Sequence, residues 1–374
     1  MNAGIGPCVQ PDRLKGLLRE MLDLYSPSGK EEEILEFIAD YMRKCRVPVT
    51  TQTVDQHRHN LLVLPEDPEN VSLCFVGHVD TVAAYDLAEF GFRQDGDSIY
   101  GTGSADMKAG CAAMIETFTA MAEAGGIPPT VGLALVVGEE EDNSGARTLV
   151  KDYRFPWAVI GEPTNLAPCL GHYGYLEVLL RTRGRRAHPA VPRQGQNAIT
   201  GMLQLLLKVT EYAASKSGEV VFNIRDISVL PLGFFVPESC EAWMDLHVPP
   251  DHRIDVLKAN LEALVKASGG TTPPVEAELC FEETQAGYRI SPERPLVRRL
   301  RDVYSHMSLA WETAEFRSHS DAGILWTSGI APIILGPGRL EEAHSPDESV
   351  SFAQVVEASR IYVNLAMSAN SGSV

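Results

Sequence analysis

Ser72-Leu73-Cys74-Phe75-Val76-Gly77-His78-Val79-Asp80-Thr81 joins an apolar run to a turn that carries a histidine and an aspartate. The run reads as a buried strand, and its exit puts His78 and Asp80 at a strand's C-terminal edge, where open α/β sheets bind ligands. The pattern recurs. Val131 to Val137 ends in Gly138-Glu139-Glu140-Glu141-Asp142, Trp157 to Ile160 exits into Gly161-Glu162-Pro163-Thr164, and Pro332 to Leu335 precedes Gly336-Pro337-Gly338. A helical pattern over 107–122 lies among these runs, and alternation of this kind indicates an α/β sheet covered by helices. Upstream, 12–24 and 31–44 have helical spacing, with Ile34, Phe37, Ile38, Tyr41 and Met42 on one face and Ser28 with Glu31 as a capping box.

The texture changes near Tyr173. Strands are expected at 176–182 and 241–247 and helices at 198–212 and 254–266, which make a small α+β unit. After Ala286 the earlier style returns, with a helix over 295–307 and a closing helix over 353–367. The expected organisation is a catalytic domain of 1–173 and 287–374, interrupted by an inserted domain of 174–286. The Ser/Asn/Gly tail after Ala366 is expected to fray.

The 374 residues are 44% hydrophobic, enough to build more than one core. Lys and Arg total 32 against 50 Asp and Glu, a net charge of -18, so no diffuse basic surface draws in nucleic acid or anionic lipid. The N-terminus lacks the basic and apolar regions of an export signal, and no run reaches the ~20 apolar residues of a membrane span. Cys8, Cys45, Cys74, Cys111, Cys169, Cys240 and Cys280 are scattered, which fits reduced thiols in a cytoplasmic protein.

Taken singly, each motif has an ordinary reading. His-x-Asp is common, Asp106 in Gly101-Thr102-Gly103-Ser104-Ala105-Asp106 could cap the next helix, and an acidic run is usually a solvated face. That glycine-rich turn lacks the third glycine of a dinucleotide fingerprint, and no phosphate loop or nucleophile elbow occurs. Together, His78, Asp106, Glu140, Glu162 and His344 are all expected after strands of one sheet. Two imidazoles and three carboxylates suit a pair of divalent ions with one carboxylate bridging.

The order Gly-His-x-Asp, Gly-x-Gly-x-x-Asp-Met-Lys, Glu-Glu, Gly-Glu-Pro-Thr and Ala-His-x-x-Asp-Glu resembles the dinuclear zinc metallohydrolases. That family includes acetylornithine deacetylase, succinyl-diaminopimelate desuccinylase, aminoacylase and glutamate carboxypeptidase. The resemblance implies a zinc-peptidase-like α/β domain, with helices on both faces of a mixed sheet, and an inserted ferredoxin-like α+β lid and dimerisation domain. It implies two divalent ions per chain, zinc with cobalt able to substitute: His78 and Glu162 on one, Glu140 and His344 on the other, Asp106 bridging. By the same resemblance Asp80 orients His78, Glu139 is the general base, and His188 in Gly184-Arg185-Arg186-Ala187-His188 donates to the oxyanion. Two such ions ~4 Å apart activate water and polarise an amide carbonyl. Glu139 and Glu140 are adjacent, so the turn must bend for both to serve one site.

Where many members have Asn-Val-Val-Pro and Asp-x-Arg, this chain has Phe234-Phe235-Val236-Pro237 and Asp245-Leu246-His247. Phe234, His247 and Asn197 are therefore the expected substrate-binding residues, with His247 a titratable stand-in for a fixed cation. Arg225 or Arg317 is the alternative holder of a substrate carboxylate. The implied activity is removal of an acetyl- or succinyl-type group from an N-acyl amino acid, as in amino-acid biosynthesis. A carboxypeptidase or dipeptidase is the alternative, and an inactive metal-binding relative the least favoured. The implied assembly is a homodimer through the inserted domain, with apolar strands such as Leu176 to Leu180 pairing across an edge.

Overall fold

In a computed structural model describing residues 6–88, 90–215, 220–268 and 275–369, the apolar run ending at His78 forms the strand Leu73–His78, buried along its whole length. A strand buried on both faces needs neighbours on both sides. Val131–Val136 and Trp157–Ile160 flank it in parallel, and Ala331–Ile334 lies parallel beyond Trp157–Ile160. His59–Val63 and then Thr50–Thr53 add antiparallel strands on the other side, so the sheet is mixed.

Helices cover both faces. Lys108–Glu123 packs on Leu73–His78 beneath Pro11–Asp23 and Phe352–Ala369, which is why its residues from Lys108 to Met121 are all buried. Burial includes Glu116, whose carboxylate takes two hydrogen bonds from Arg13 at 2.7 and 2.8 Å and one from the Gln10 amide at 2.7 Å. Elsewhere Ser144–Asp152 packs on His59–Val63 and Val131–Val136 and against Ala322–Thr327.

The chain separates into two compact units, one of Met1–Leu170, Ile290–Phe316 and Ser320–Val374, the other of Gly171–Arg289 with Arg317–His319. The second unit begins before residue 174 because its two chain crossings pair with each other: Tyr288 lies opposite His172 and Arg289 opposite Gly171. Its four-stranded antiparallel sheet runs Val221–Ser228, Ser239–Val248, Gly174–Arg183, Glu276–Gln285. Alternate residues of Ser239–Val248 are buried. Their side chains, including Ala242, Met244 and Leu246, share a core with Met202, Leu205 and Val209 of the helix Ala198–Ser215 and with Leu261 and Val265 of Ile254–Ser268.

Three expectations are corrected. Leu176 to Leu180 lies within a central strand with a partner on each side, so it offers no free edge. The helix after Ser28 starts at Glu32 with no side-chain cap, because Ser28 bonds elsewhere. The last helix continues to Ala369, three residues beyond Ala366, after which fraying was expected, while 370–374 lie outside the described residues. No helix among the described residues is long and apolar enough to cross a membrane.

Candidate metal centre

His78 is the last residue of its strand, and Glu162 follows Ile160 at the end of the neighbouring strand. Close backbone approach holds this level of the molecule together: a Cβ on Gly110 of the helix Lys108–Glu123 would collide with the Gly161 carbonyl. Asp106 does not cap that helix, whose first turn has no side-chain cap. Nor does Asp106 follow a strand of the main sheet. It lies beyond Ser98–Tyr100, the middle strand of a separate three-stranded sheet with Arg93–Asp95 and Ser349–Ser351.

Asp106 presents one oxygen to each of two imidazoles: Oδ1 is 3.2 Å from His78 Nε2 and Oδ2 is 3.5 Å from His344 Nε2. Behind His78 stands Glu162, with Oε1 at 3.5 Å, and behind His344 stands Glu140, with Oε1 at 3.1 Å. Ligating atoms of His78, Asp106 and Glu140 lie within 4.8 Å of one another. Glu162 Oε1 is buried and accepts no hydrogen bond.

The bend that adjacency demands is present. The strand stops at Val136, Gly138 turns with φ +73°, and its carbonyl accepts from the Asn143 amide at 2.7 Å. Only glycine suits that backbone, since a Cβ would also strike Ser144 Oγ. Glu139 and Glu140 therefore sit in a turn, where their side chains need not diverge as on a strand. Glu139 Oε2 comes within 3.8 Å of His78 Nε2.

Asp80 faces His78 Nδ1 with two groups, its backbone carbonyl at 2.9 Å and its carboxylate Oδ1 at 3.6 Å. The carboxylate accepts the Glu139 amide at 3.2 Å, the Glu140 amide at 3.1 Å and the Ser28 hydroxyl at 2.7 Å.

The electrostatics favour a cation. Burial, then Asp106, raises the Glu162 carboxyl well above its usual range, burial does the same for Glu139, and burial also raises Glu140. Burial alone would lower His78, but Glu162, Asp106, Glu139 and Asp80 outweigh it and raise the imidazole well above 6.5. The bond to Glu140 lifts His344 to about 9. Protons here stabilise a concentration of negative charge that divalent ions would stabilise better. The donor set, the two-sided Asp106 and the unsatisfied Glu162 oxygen all fit a pair of ions.

Two supports were not assigned from sequence. Glu348 accepts the amides of Gly103, Ala105 and Asp106 at 2.9, 2.8 and 3.0 Å, clamping the loop that carries Asp106. Its position beside the His344 motif was the available signal. Asp321 accepts from Asn143 Nδ2 at 3.0 Å and so braces the turn of Glu139 and Glu140; burial raises its carboxyl to about 6. It lies in Ser318-His319-Ser320-Asp321, which leads into the helix Ala322–Thr327.

The remaining expected residues belong to the second unit. His188 is exposed on a turn, its Nδ1 accepting from the Ala190 amide at 3.2 Å. Asn197 accepts from the Thr200 amide at 3.2 Å, a cap for the helix Ala198–Ser215. Phe234 is fully exposed. His247 lies against Tyr175 at 5.5 Å between ring centroids, and burial pushes its pKa below 6.5, so it is neutral at pH 7 and no stand-in for a fixed cation. Arg225 is already held by Glu177 at 2.6 Å and Asp245 at 3.1 Å.

Comparison with known proteins bears on this geometry. Residues 74–368 match the family described as Peptidase family M20/M25/M40. Acetylornithine deacetylase of Vibrio campbellii is 25% identical, over 86% of this chain and 87% of the relative. A probable carboxypeptidase of Aspergillus oryzae is 26% identical, over 93% and 85%. Among solved structures, a tripeptidase from Staphylococcus aureus superposes with a TM-score of 0.77 at 21% identity, covering 96% of this chain and 99% of that one. The chain belongs to the M20/M25/M40 peptidase family and is a hydrolase with that family's fold.

Proposed function

We propose that this hydrolase removes an acetyl- or succinyl-type group from an N-acyl amino acid with the help of two divalent ions, zinc with cobalt as a substitute. The observation that carries the reading is Asp106, with His78 at one oxygen and His344 at the other. His78 and Glu162 would hold one ion, Glu140 and His344 the other, and Asp106 both. When bound, the ions supply an activated water and polarise the amide carbonyl.

The side chains do the rest. Glu139, buried and able to retain a proton, takes it from the attacking water and delivers it to the leaving amine. Asp80 fixes the Glu139 and Glu140 backbone during that exchange. His188 donates to the oxygen of the amide under attack, a contact worth roughly 3 kcal/mol in comparable sites.

Phe234 and His247 are the specificity residues of this reading, and Asn197 is a third substrate-binding residue in it. A phenyl ring and a neutral imidazole cannot replace an amide donor and a guanidinium, so strong dependence on a substrate carboxylate is not expected. Exchanging both, Phe234→Asn with His247→Arg, should shift relative kcat/KM toward succinylated substrates; unchanged ratios in a folded variant would remove both from the pocket.

A peptidase is the second reading, motivated by the carboxypeptidase and tripeptidase likenesses. The deciding assay is amine release from N-acetyl amino acids, N-succinyl amino acids and dipeptides, with zinc, cobalt or manganese added to metal-free protein. Turnover of dipeptides alone would replace the deacylase reading. All seven cysteines are free thiols, which supports a reducing, cytoplasmic setting.

A further inference from the structure

Ser28 and Glu31 have the spacing of a local capping box, yet neither side chain caps the helix at Glu32. A local preference that is overridden signals a demand from elsewhere in the fold. The Ser28 hydroxyl instead reaches Asp80 Oδ2 at 2.7 Å, across 52 residues of sequence.

The segment around Ser28 is fastened to the same turn at several points. Ser26 Oγ donates to the Val79 carbonyl at 2.9 Å, the Thr81 amide to the Ser26 carbonyl at 3.0 Å, and the Ser28 amide to the Thr81 carbonyl at 3.3 Å. Just upstream, the buried Lys108 ammonium donates to the carbonyls of Met21 and Leu24 at 3.0 and 2.8 Å. The backbone of this strap is thus held by bonds that do not involve the Ser28 hydroxyl. What the hydroxyl adds is one charge-assisted bond to the oxygen of Asp80 that also accepts the Glu140 amide, while the other oxygen accepts the Glu139 amide.

We propose that Ser28 is a positioning residue: by donating to Asp80 it fixes the rotation of that carboxylate, and through it the placement of Glu139 and Glu140 relative to His78. The inference rests on the reading of Glu139 as base and Glu140 as ligand. Without the hydroxyl the carboxylate can turn away from one of the two amides, which loosens a metal ligand and the base together while leaving substrate-binding groups alone.

The test compares the intact protein with Ser28→Ala, Ser28→Thr, Asp80→Asn and the Ser28→Ala/Asp80→Asn double variant. Zinc affinity is measured by calorimetry on metal-free protein, and kcat and KM on zinc-loaded protein. Loss of one bond to a charged acceptor should lower zinc affinity and kcat by about tenfold each in Ser28→Ala, with KM within about twofold. Ser28→Thr, which keeps the hydroxyl, should recover most of both. In the Asp80→Asn background the alanine change should cost less than about twofold, because the charged acceptor is gone. Unchanged zinc affinity and kcat in Ser28→Ala would overturn the proposal, as would an equal loss in the Asp80→Asn background or a folded Ser28→Thr as impaired as the alanine. Should Ser28→Ala fail to fold, Ser28→Cys, similar in size and a weak donor, replaces it with the same expectations. If the parent protein hydrolyses none of the substrates, the functional reading falls, while the zinc titrations still decide the role of Ser28.

Discussion

Glu139 and Glu140 are neighbours in sequence with different surroundings. Glu140 bonds His344, whereas Glu139 comes no nearer than 3.8 Å to His78. Glu139→Gln should therefore keep its metal, measured by elemental analysis, and lose several orders of magnitude in kcat. Glu140→Gln should lose metal affinity, and the opposite pattern would exchange the two roles. His344 gives a second handle. Raised to about 9, it carries a proton in the metal-free protein at pH 7, and a ligating imidazole must be neutral. Binding should release that proton and tighten as pH rises toward 9, about tenfold per unit for one proton. Calorimetry in buffers of different ionisation enthalpy reads the release, and zero release at pH 7 would contradict it. The five candidate ligands could be picked out from sequence because each lies in a recognisable motif. The jobs of Ser28, Glu348 and Asp321 could not, since each acts on a segment far away in sequence.

The strands with continuous apolar runs were readable because burial on both faces imposes that pattern. Trp157–Ile160 falls where the sequence puts it. Val221–Ser228 and Glu276–Gln285 went unread. Both are edge strands: Val221–Ser228 is largely exposed and Glu276–Gln285 mostly half-buried, so neither carries the continuous burial that marks the central strands. Where the two chain crossings of that unit pair, His172 stacks on Tyr288 with centroids 5.3 Å apart, and burial lowers the His172 pKa to about 3. The unfolded chain binds a proton there below about 6.5, and the folded one does not until about 3. Stability is thus lost as pH falls from 6.5, by about 2 kcal/mol at pH 5. His172→Phe should abolish that share of the acid sensitivity, seen as a smaller drop in urea midpoint between pH 7 and 5. An unchanged drop would place the sensitivity at other groups.

At the scale of the whole molecule, the question is how copies associate. An interior strand cannot pair with a second copy, so the expectation from Leu176 to Leu180 passes to the edges of the same sheet. Glu276–Gln285 carries Glu276, Glu278, Glu282 and Glu283, which discourages self-pairing. Val221–Ser228 exposes Val221, Ile224 and Ile227, and the helix packed on it, Ala198–Ser215, exposes Leu203 and Leu207. Which strand is an edge depends on topology and cannot be read from one strand's own residues. We expect two copies to pair antiparallel along Val221–Ser228 with these leucines in the interface. Ile224→Lys with Leu207→Glu should give monomers by light scattering; a monomeric parent protein would exclude the pairing. If His188 serves the partner's metal centre, inactive Glu139→Gln and inactive His188→Ala chains, mixed and allowed to exchange, should regain activity, because a hybrid dimer carries one centre with both groups intact. The same mixture built on the Ile224→Lys/Leu207→Glu background should stay inactive. Recovery there, or none in the dimeric mixture after exchange is verified, would mean that His188 does not act across the interface.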